Sequence, residues 1–251
     1  MQKINKETEI KELSKIGAQF GFSRTRRHPS TDAHIYGYKN RTSIIDLDRV
    51  ITDLEIVLEF VRKIGAENKQ ILFVGNKNEA RETVRKYADL ISQPFVAERW
   101  IGGTFTNFKQ IRTRIEKLKE YRSKEEKGDL SIYTKKERGV MAIEAEKLNR
   151  FFDSLSVMER LPAAIFIIDI GEEKIAFDEA IYAKIPVISL SSTDCNLKGV
   201  DYPIVANDSS RAVIDYVLNK VAEAYREGKA EGVKIAAEAV SKAEEATTPA
   251  A

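Results

Sequence analysis

The sequence predicts a doubly wound α/β domain, a parallel sheet covered on both faces, interrupted by a protruding antiparallel α-helical hairpin. Three observations carry this reading. Short apolar segments recur in both halves of the chain without polar alternation, and helical periodicities separate them, as buried parallel strands require. Between the halves lie two amphipathic stripes with coiled-coil spacing, joined by a polar break. Finally, 251 residues with 43% hydrophobic content, 11 Phe and 9 Tyr are enough for a real core and exclude wholesale disorder.

In chain order, residues 1–42 read as a basic unit. It is helix-prone to about Ile16, then irregular from Gly17 to Asn40, where Gly17, Gly21, Pro29 and Gly37 punctuate it. Ser43–Leu47 reads as a strand. Asp48 is the expected N-cap of a helix in which Val50, Leu54, Val57, Leu58, Val61 and Ile64 recur until Gly65. Gln70–Val74 is a short apolar strand, followed by Gly75, a helix over Asn78–Ile91 and a short strand at Phe95–Val96. In the insertion, Phe105, Phe108, Ile111, Ile115 and Leu118 form one stripe, and Met141, Ala145, Leu148, Phe152 and Leu155 the other. The polar break Lys124–Ser131 separates them, and Thr134-Lys135-Lys136-Glu137 matches a capping box.

The α/β pattern then returns. Ala163–Ile168 reads as a strand, Glu172–Ala183 as a helix, Pro186–Leu190 and Ile204–Val205 as strands, and Arg211–Tyr225 as a closing helix. The expected organisation is a basic segment over 1–42, an α/β domain over 43–103 and 159–228, a hairpin over 104–158, and a disordered tail over 229–251. That tail is narrowed to Ala, Glu, Lys and Thr and starts as a frayed helix.

The net charge of +2 hides segregation. Residues 1–42 carry +5 and residues 99–138 carry +6, which leaves the rest of the chain at −9. Two basic regions on an acidic body imply a local polyanion contact. The single cysteine, Cys195, excludes an intrachain disulfide and a thiolate metal cluster, and it fits a reducing setting. No stretch has signal-peptide character, and the longest strongly apolar run, Ala163–Ile168, is too short to span a bilayer. A soluble, cytoplasmic protein without membrane contact is expected.

Few residues suggest catalysis. Gly75-Asn76-Lys77 lies between a strand and a helix, where backbone amides, Lys77 and Arg81 could meet an anion, but neither Walker spacing nor G-x-G-x-x-G occurs. The alternative function is therefore an α/β enzyme or binding protein for a phosphorylated small molecule. His28 and His34 match no zinc or nucleophile pattern. Asp194, Asp201 and Asp208 fall near strand ends, where they could bind a divalent ion but more often cap turns. Cys195 reads as a structural thiol. No cofactor and no metal are expected.

The stretch Glu98–Lys109 is the most informative. It holds the sole Trp, a Gly-Gly pair, Arg99, Thr106, Asn107 and Lys109, and Arg112 follows. With Arg24, Arg26, Arg27, Lys39 and Arg41, these groups suit phosphate and 2′-OH oxygens of RNA. Trp100 itself is expected to pack under the turn.

Several short motifs in order carry a family resemblance. They are Ile16-Gly17-Ala18-Gln19-Phe20-Gly21, Ile35-Tyr36-Gly37 with Asn40-Arg41, Ile44-Ile45-Asp46-Leu47, and Phe73-Val74-Gly75-Asn76-Lys77. Arg99-Trp100-Ile101-Gly102-Gly103 with Thr106-Asn107-Phe108, Leu161-Pro162-Ala163, Ile185-Pro186-Val187, Gly199-Val200-Asp201-Tyr202 and Ala206-Asn207-Asp208 continue the series. Over residues 10–228 the chain resembles the bacterial small-subunit ribosomal protein S-two (uS-two) family.

The resemblance implies a flavodoxin-like domain with a protruding hairpin and a structural role, not catalysis. It implies docking on 16S rRNA at the head–body junction, with other small-subunit proteins, the S-one protein among them, as partners. Arg99, Trp100, Gly102, Gly103, Thr106 and Asn107 match the family signature, and Trp100, Gly102 and Gly103 are carried over as the hinge between body and hairpin. The chain departs from the pattern at Phe22–Arg27 and at Ser192–Lys198. In the first of these, extra arginines stand where the family has a His and a Gln-Thr.

Overall fold

Strands in which every residue is buried make the centre of the molecule. In the computed structural model, which describes residues 6–246 and side chains through residue 234, these are β4 (Ile71–Val74), β6 (Ala164–Ile168) and β7 (Val187–Ser191). With β5 (Phe95–Val96) and β8 (Tyr202–Val205) they form a parallel sheet of order β5-β4-β6-β7-β8. Numbered within the sheet, that order is 2-1-3-4-5, the flavodoxin-like arrangement. Phe73 and Phe166 pair across adjacent strands with ring centroids 5.6 Å apart.

The strand order reverses direction after β5, and with crossovers of the usual right hand this reversal puts helices on opposite faces. One face carries α2 (Leu47–Ala66), α3 (Asn78–Leu90) and α7 (Arg211–Ala246), and the other carries α6 (Lys174–Tyr182). The α2 stripe Val50, Leu54, Val57, Val61 and Ile64 is buried as its spacing predicts. Its N-cap is Asp46, whose carboxylate accepts from the Asp48 amide at 3.0 Å, so Asp48 sits in the first turn instead of capping it.

The hairpin consists of α4 (Phe108–Lys127) and α5 (Lys135–Phe152). Ile111, Ile115 and Leu118 from α4 and Ala145, Leu148 and Phe152 from α5 are buried along the seam. Gly128 ends α4 at φ 75°, a left-handed C-cap that glycine adopts without strain. The Thr134–Glu137 capping box opens α5 as expected. Both ends of the hairpin return to the short β5 edge, where the Ser154 hydroxyl donates to the Phe95 carbonyl at 2.5 Å.

Two expectations are corrected. The segment from Gly17 to Asn40 is not irregular. After α1 (Lys6–Ile16) it holds β1 (Phe20–Ser23), a 3-10 turn at Pro29–His34 and β2 (Ile35–Lys39), which pair antiparallel with β3 (Thr42–Ile45) in the order β1-β3-β2. The strand expected at Ser43–Leu47 thus belongs to this small sheet, and its alternating burial, with Ser43 and Ile45 inside, is what a one-sided antiparallel strand gives. β1 meets β3 only across the intervening turn and β2, and β2 is bulged and largely exposed, which hides both from local periodicity.

The second correction concerns the tail. Where a frayed helix running into a disordered tail is expected from residue 229, α7 continues to Ala246; residues 247–251 of that expected tail lie outside the described residues. Ala, Glu and Lys are strong helix formers, and packing adds to them. Gly228 and Gly232 face the last turns of α2, so close that a Cβ at Gly228 would lie 2.8 Å from the Arg62 carbonyl carbon, and one at Gly232 would lie 2.9 Å from that of Ala66. Backbone-to-backbone approach of α2 and α7 therefore guides the helix past residue 228.

This packing gives a signed prediction. Helix propensity alone would make Gly228→Ala stabilising by about 1 kcal/mol. The collision with Arg62 should instead cost about 1–3 kcal/mol or more, for a net loss. A thermal melt should show a lower midpoint, and a higher one would refute the close-approach account.

Candidate nucleic-acid interface

The small antiparallel sheet sits on the carboxyl ends of the parallel strands, the place where open α/β sheets usually take ligands. Thr193, just past β7, anchors it. The Thr193 hydroxyl accepts from the Phe22 amide at 2.9 Å, and its carbonyl accepts from the His28 amide at 2.9 Å and the Thr31 hydroxyl at 3.0 Å. Past β8, the Asn207 side chain donates to the Gly17 carbonyl at 3.1 Å, and the Ser210 hydroxyl donates to that of Ile16 at 3.2 Å.

Beneath the anchor, the crevice is filled by the protein's own charges. The Lys77 ammonium pairs with Asp169 Oδ2 and lies 3.2 Å from Asp208 Oδ2. Burial works against the ammonium, but Asp208 and Asp169 outweigh it and hold the Lys77 pKa above its ordinary value. Burial also pushes Asp208 up to about 6, despite Lys77. The Cys195 thiol donates to Asp169 at 3.2 Å, and burial pushes its pKa up, which makes it an unreactive structural thiol.

Glu173 accepts from the Asn76 amide at 2.9 Å, and burial pushes it up to about 7. Asp169, Cys195 and Asp208 are close enough to share a cation, and Lys77 supplies that charge. The three aspartates singled out from the sequence do not converge. Asp201 accepts from the Val187 amide at the amino ends of β7 and β8, while Asp194 faces Arg26 at 3.8 Å.

The expected RNA-contact residues therefore divide. Lys77 is engaged inside, and Arg81 donates through Nε to the Asn76 carbonyl at 2.7 Å, so both serve the crevice. On the small sheet, Arg27 pairs with Asp32 at 2.5 Å and donates to the Tyr38 hydroxyl at 2.8 Å. Arg24, Lys39 and Arg41 are exposed, with no carboxylate at ion-pair distance among the described residues. Asn40 and Arg41 turn the β2–β3 hairpin at φ 48° and 67°, which suits a two-residue turn but is costly for arginine, and it holds Arg41 at the tip.

His28 and His34 are structural. His28 Nδ1 caps the 3-10 turn by accepting from the Ser30 amide, and His34 Nε2 meets Asp53 at 3.2 Å.

The turn before the hairpin is a clasp. The Glu179 carboxylate on α6 accepts from the amides of Gly103 (2.6 Å), Phe105 (2.9 Å) and Thr106 (3.4 Å) and from the Trp100 indole (3.3 Å). Trp100 is 4% exposed and meets Phe105 edge-on at 5.2 Å, which agrees with its reading as a packed residue. These amides point inward and are not offered to phosphate. Exposed beside them are Arg99, Thr106, Asn107, Lys109 and Arg112, the last donating to the Glu159 carbonyl at 2.9 Å. Glu179 was not singled out from the sequence, because a lone glutamate in a helix carries no local signal of four donors arriving from 75 residues away.

Two outcomes follow. Glu179→Ala should leave three amides and an indole without their acceptor, at about 1–3 kcal/mol for each buried donor left unpaired. Hydrogen exchange at Gly103 and Phe105 should accelerate, and unchanged exchange would show the clasp to be dispensable. Glu173 contributes to the pH response alongside Asp208, whose carboxyl is raised as well. A carboxyl raised when folded keeps its proton on folding, so its contribution to stability is fullest at low pH and falls as pH rises from about 4.5 to about 7. Glu173→Gln should flatten that fall and be more stable at pH 8 by up to about 3 kcal/mol, as read by urea melts; an unchanged pH slope would be the contrary result.

Residues 13–228 match the family model for Ribosomal protein S2. Similar proteins, each called small ribosomal subunit protein uS2, include that of Coprothermobacter proteolyticus, 38% identical over 88% of this chain and 82% of the relative. That of Wolinella succinogenes is 35% identical over 96% and 88%, and that of Helicobacter acinonychis 36% identical over 88% and 89%. A filled strand-end crevice, a cationic sheet and a clasped hairpin thus sit in a chain that belongs to the ribosomal protein S2 family.

Proposed function

We propose that this protein is a structural constituent of the small ribosomal subunit, not an enzyme. It binds 16S rRNA at the head–body junction and contacts neighbouring ribosomal proteins, the S-one protein among them, in the cytoplasm. The observation that carries the RNA reading is the small sheet. It presents Arg24, Lys39 and Arg41 without carboxylate partners among the described residues, on a rigid base anchored at Thr193. The exposed Arg99, Lys109 and Arg112 add a second cationic site at the root of the hairpin.

The reading of Gly75–Lys77 as a phosphate pocket is disfavoured by the same geometry. Glu173 takes the Asn76 amide, and the two aspartates take Lys77. A groove of about 550 Å³ opens at the amino ends of the strands, beside Lys69, Gln70 and Tyr225, away from those charges. Among the described residues no helix is long and apolar enough to cross a membrane.

Sedimentation tests this function. The protein should travel with small subunits at low salt and be released in part at high salt. Replacing Arg24, Lys39 and Arg41 together by Ala should lower the log–log salt slope of rRNA binding by roughly 2, at about 0.7–0.9 per lost phosphate contact. A wild-type protein that stays at the top of the gradient at low salt would refute the ribosomal role.

A further inference from the structure

Aromatic rings are exposed on the same small sheet that carries the unpaired cations. Tyr36 is 82% exposed, Phe20 49% and Tyr38 43%. The register of β2 against β3 shifts between Ile35 and Gly37, so Tyr36 sits at a bulge, a feature that re-aims a side chain, and the space beyond Gly37 is open. On the same sheet, guanidinium groups are layered on rings, with Arg24 5.3 Å over Tyr38 and Arg26 4.6 Å over Phe22.

The sole acidic residue of the 17–42 segment, Asp32, is held by Arg27. Exposed rings among unpaired cations suit a polyanion with flat faces better than an apolar protein surface. Unpaired RNA bases meet that description, because every base offers a face to stack while its phosphate meets a cation.

We propose that Tyr36, on the small sheet that also carries Arg24, Lys39 and Arg41, is a base-stacking site for unpaired nucleotides of RNA. This rests on the rRNA reading above and adds to it a preference for single strands over duplex. Lys39 and Arg41 at the hairpin tip hold the backbone, and the ring holds a base.

The test uses the full chain and a labelled, adenine-rich single-stranded RNA, compared with a strand of equal length built from abasic nucleotides. Tyr36→Ala and Tyr36→Leu should each weaken binding of the base-bearing strand by about tenfold or more. Both should leave the abasic strand and the log–log salt slope unchanged, while Tyr36→Phe keeps wild-type affinity. Tyr36 is exposed, so the thermal midpoints should stay together, and the leucine variant preserves bulk if alanine disturbs the strand. Equal losses on both strands would make Tyr36 a structural residue and overturn the proposal. No loss on either would overturn it in favour of a protein neighbour at this surface. If wild type binds both strands equally, stacking falls and the phosphate reading stands; if it binds neither, the rRNA reading falls with it.

Discussion

One ammonium group organises the carboxyl end of the sheet. Lys77 leaves β4 at the switch point and reaches Asp169 after β6 and Asp208 after β8, so a single cation ties together three strand ends. Burying two carboxylates with one ammonium is expensive in desolvation, and such an arrangement persists only where the geometry and further hydrogen bonds compensate. Here the Cys195 thiol and the Gly171 amide complete the shell of Asp169. With the crevice occupied by its own ion pairs, Thr193 can carry a second sheet on top of it. A place that elsewhere receives a ligand becomes a pedestal for a basic surface.

The clasp at Glu179 does the same for the hairpin. Its carboxylate gathers donors from Trp100 to Thr106, which fixes the direction in which α4 leaves the body. Both devices place a buried charge where the chain changes course. Each spends electrostatic stabilisation on orientation, and in both cases the surface being oriented is basic.

What could be read from the sequence follows from this division. The parallel strands, their helices and the hairpin seam declare themselves through local periodicity, and Ile111, Ile115, Leu118, Leu148 and Phe152 are buried as their spacing demands. The small sheet did not declare itself, because Phe20–Ser23 and Ile35–Lys39 are strands only by virtue of pairing with Thr42–Ile45. The cations of the candidate site were legible as composition, but composition cannot tell a free arginine from an engaged lysine. Lys77 and Arg24 look alike in sequence, and only the strand order that brings Asp169 and Asp208 beside one of them separates their roles. The exposed Tyr36 was equally silent, since an alternating strand and a bulged one differ by a single register step.

The β5 edge has a consequence of a different kind. An open parallel sheet ends in a strand with unpaired backbone groups, a template on which another chain can grow. Here that strand is two residues long, and the Phe95 carbonyl is already bonded to Ser154 at the foot of the hairpin. The helical insertion thus acts as a stopper on the sheet. Newly made copies crowded together before they find their place have no long bare strand on that side through which to join one another.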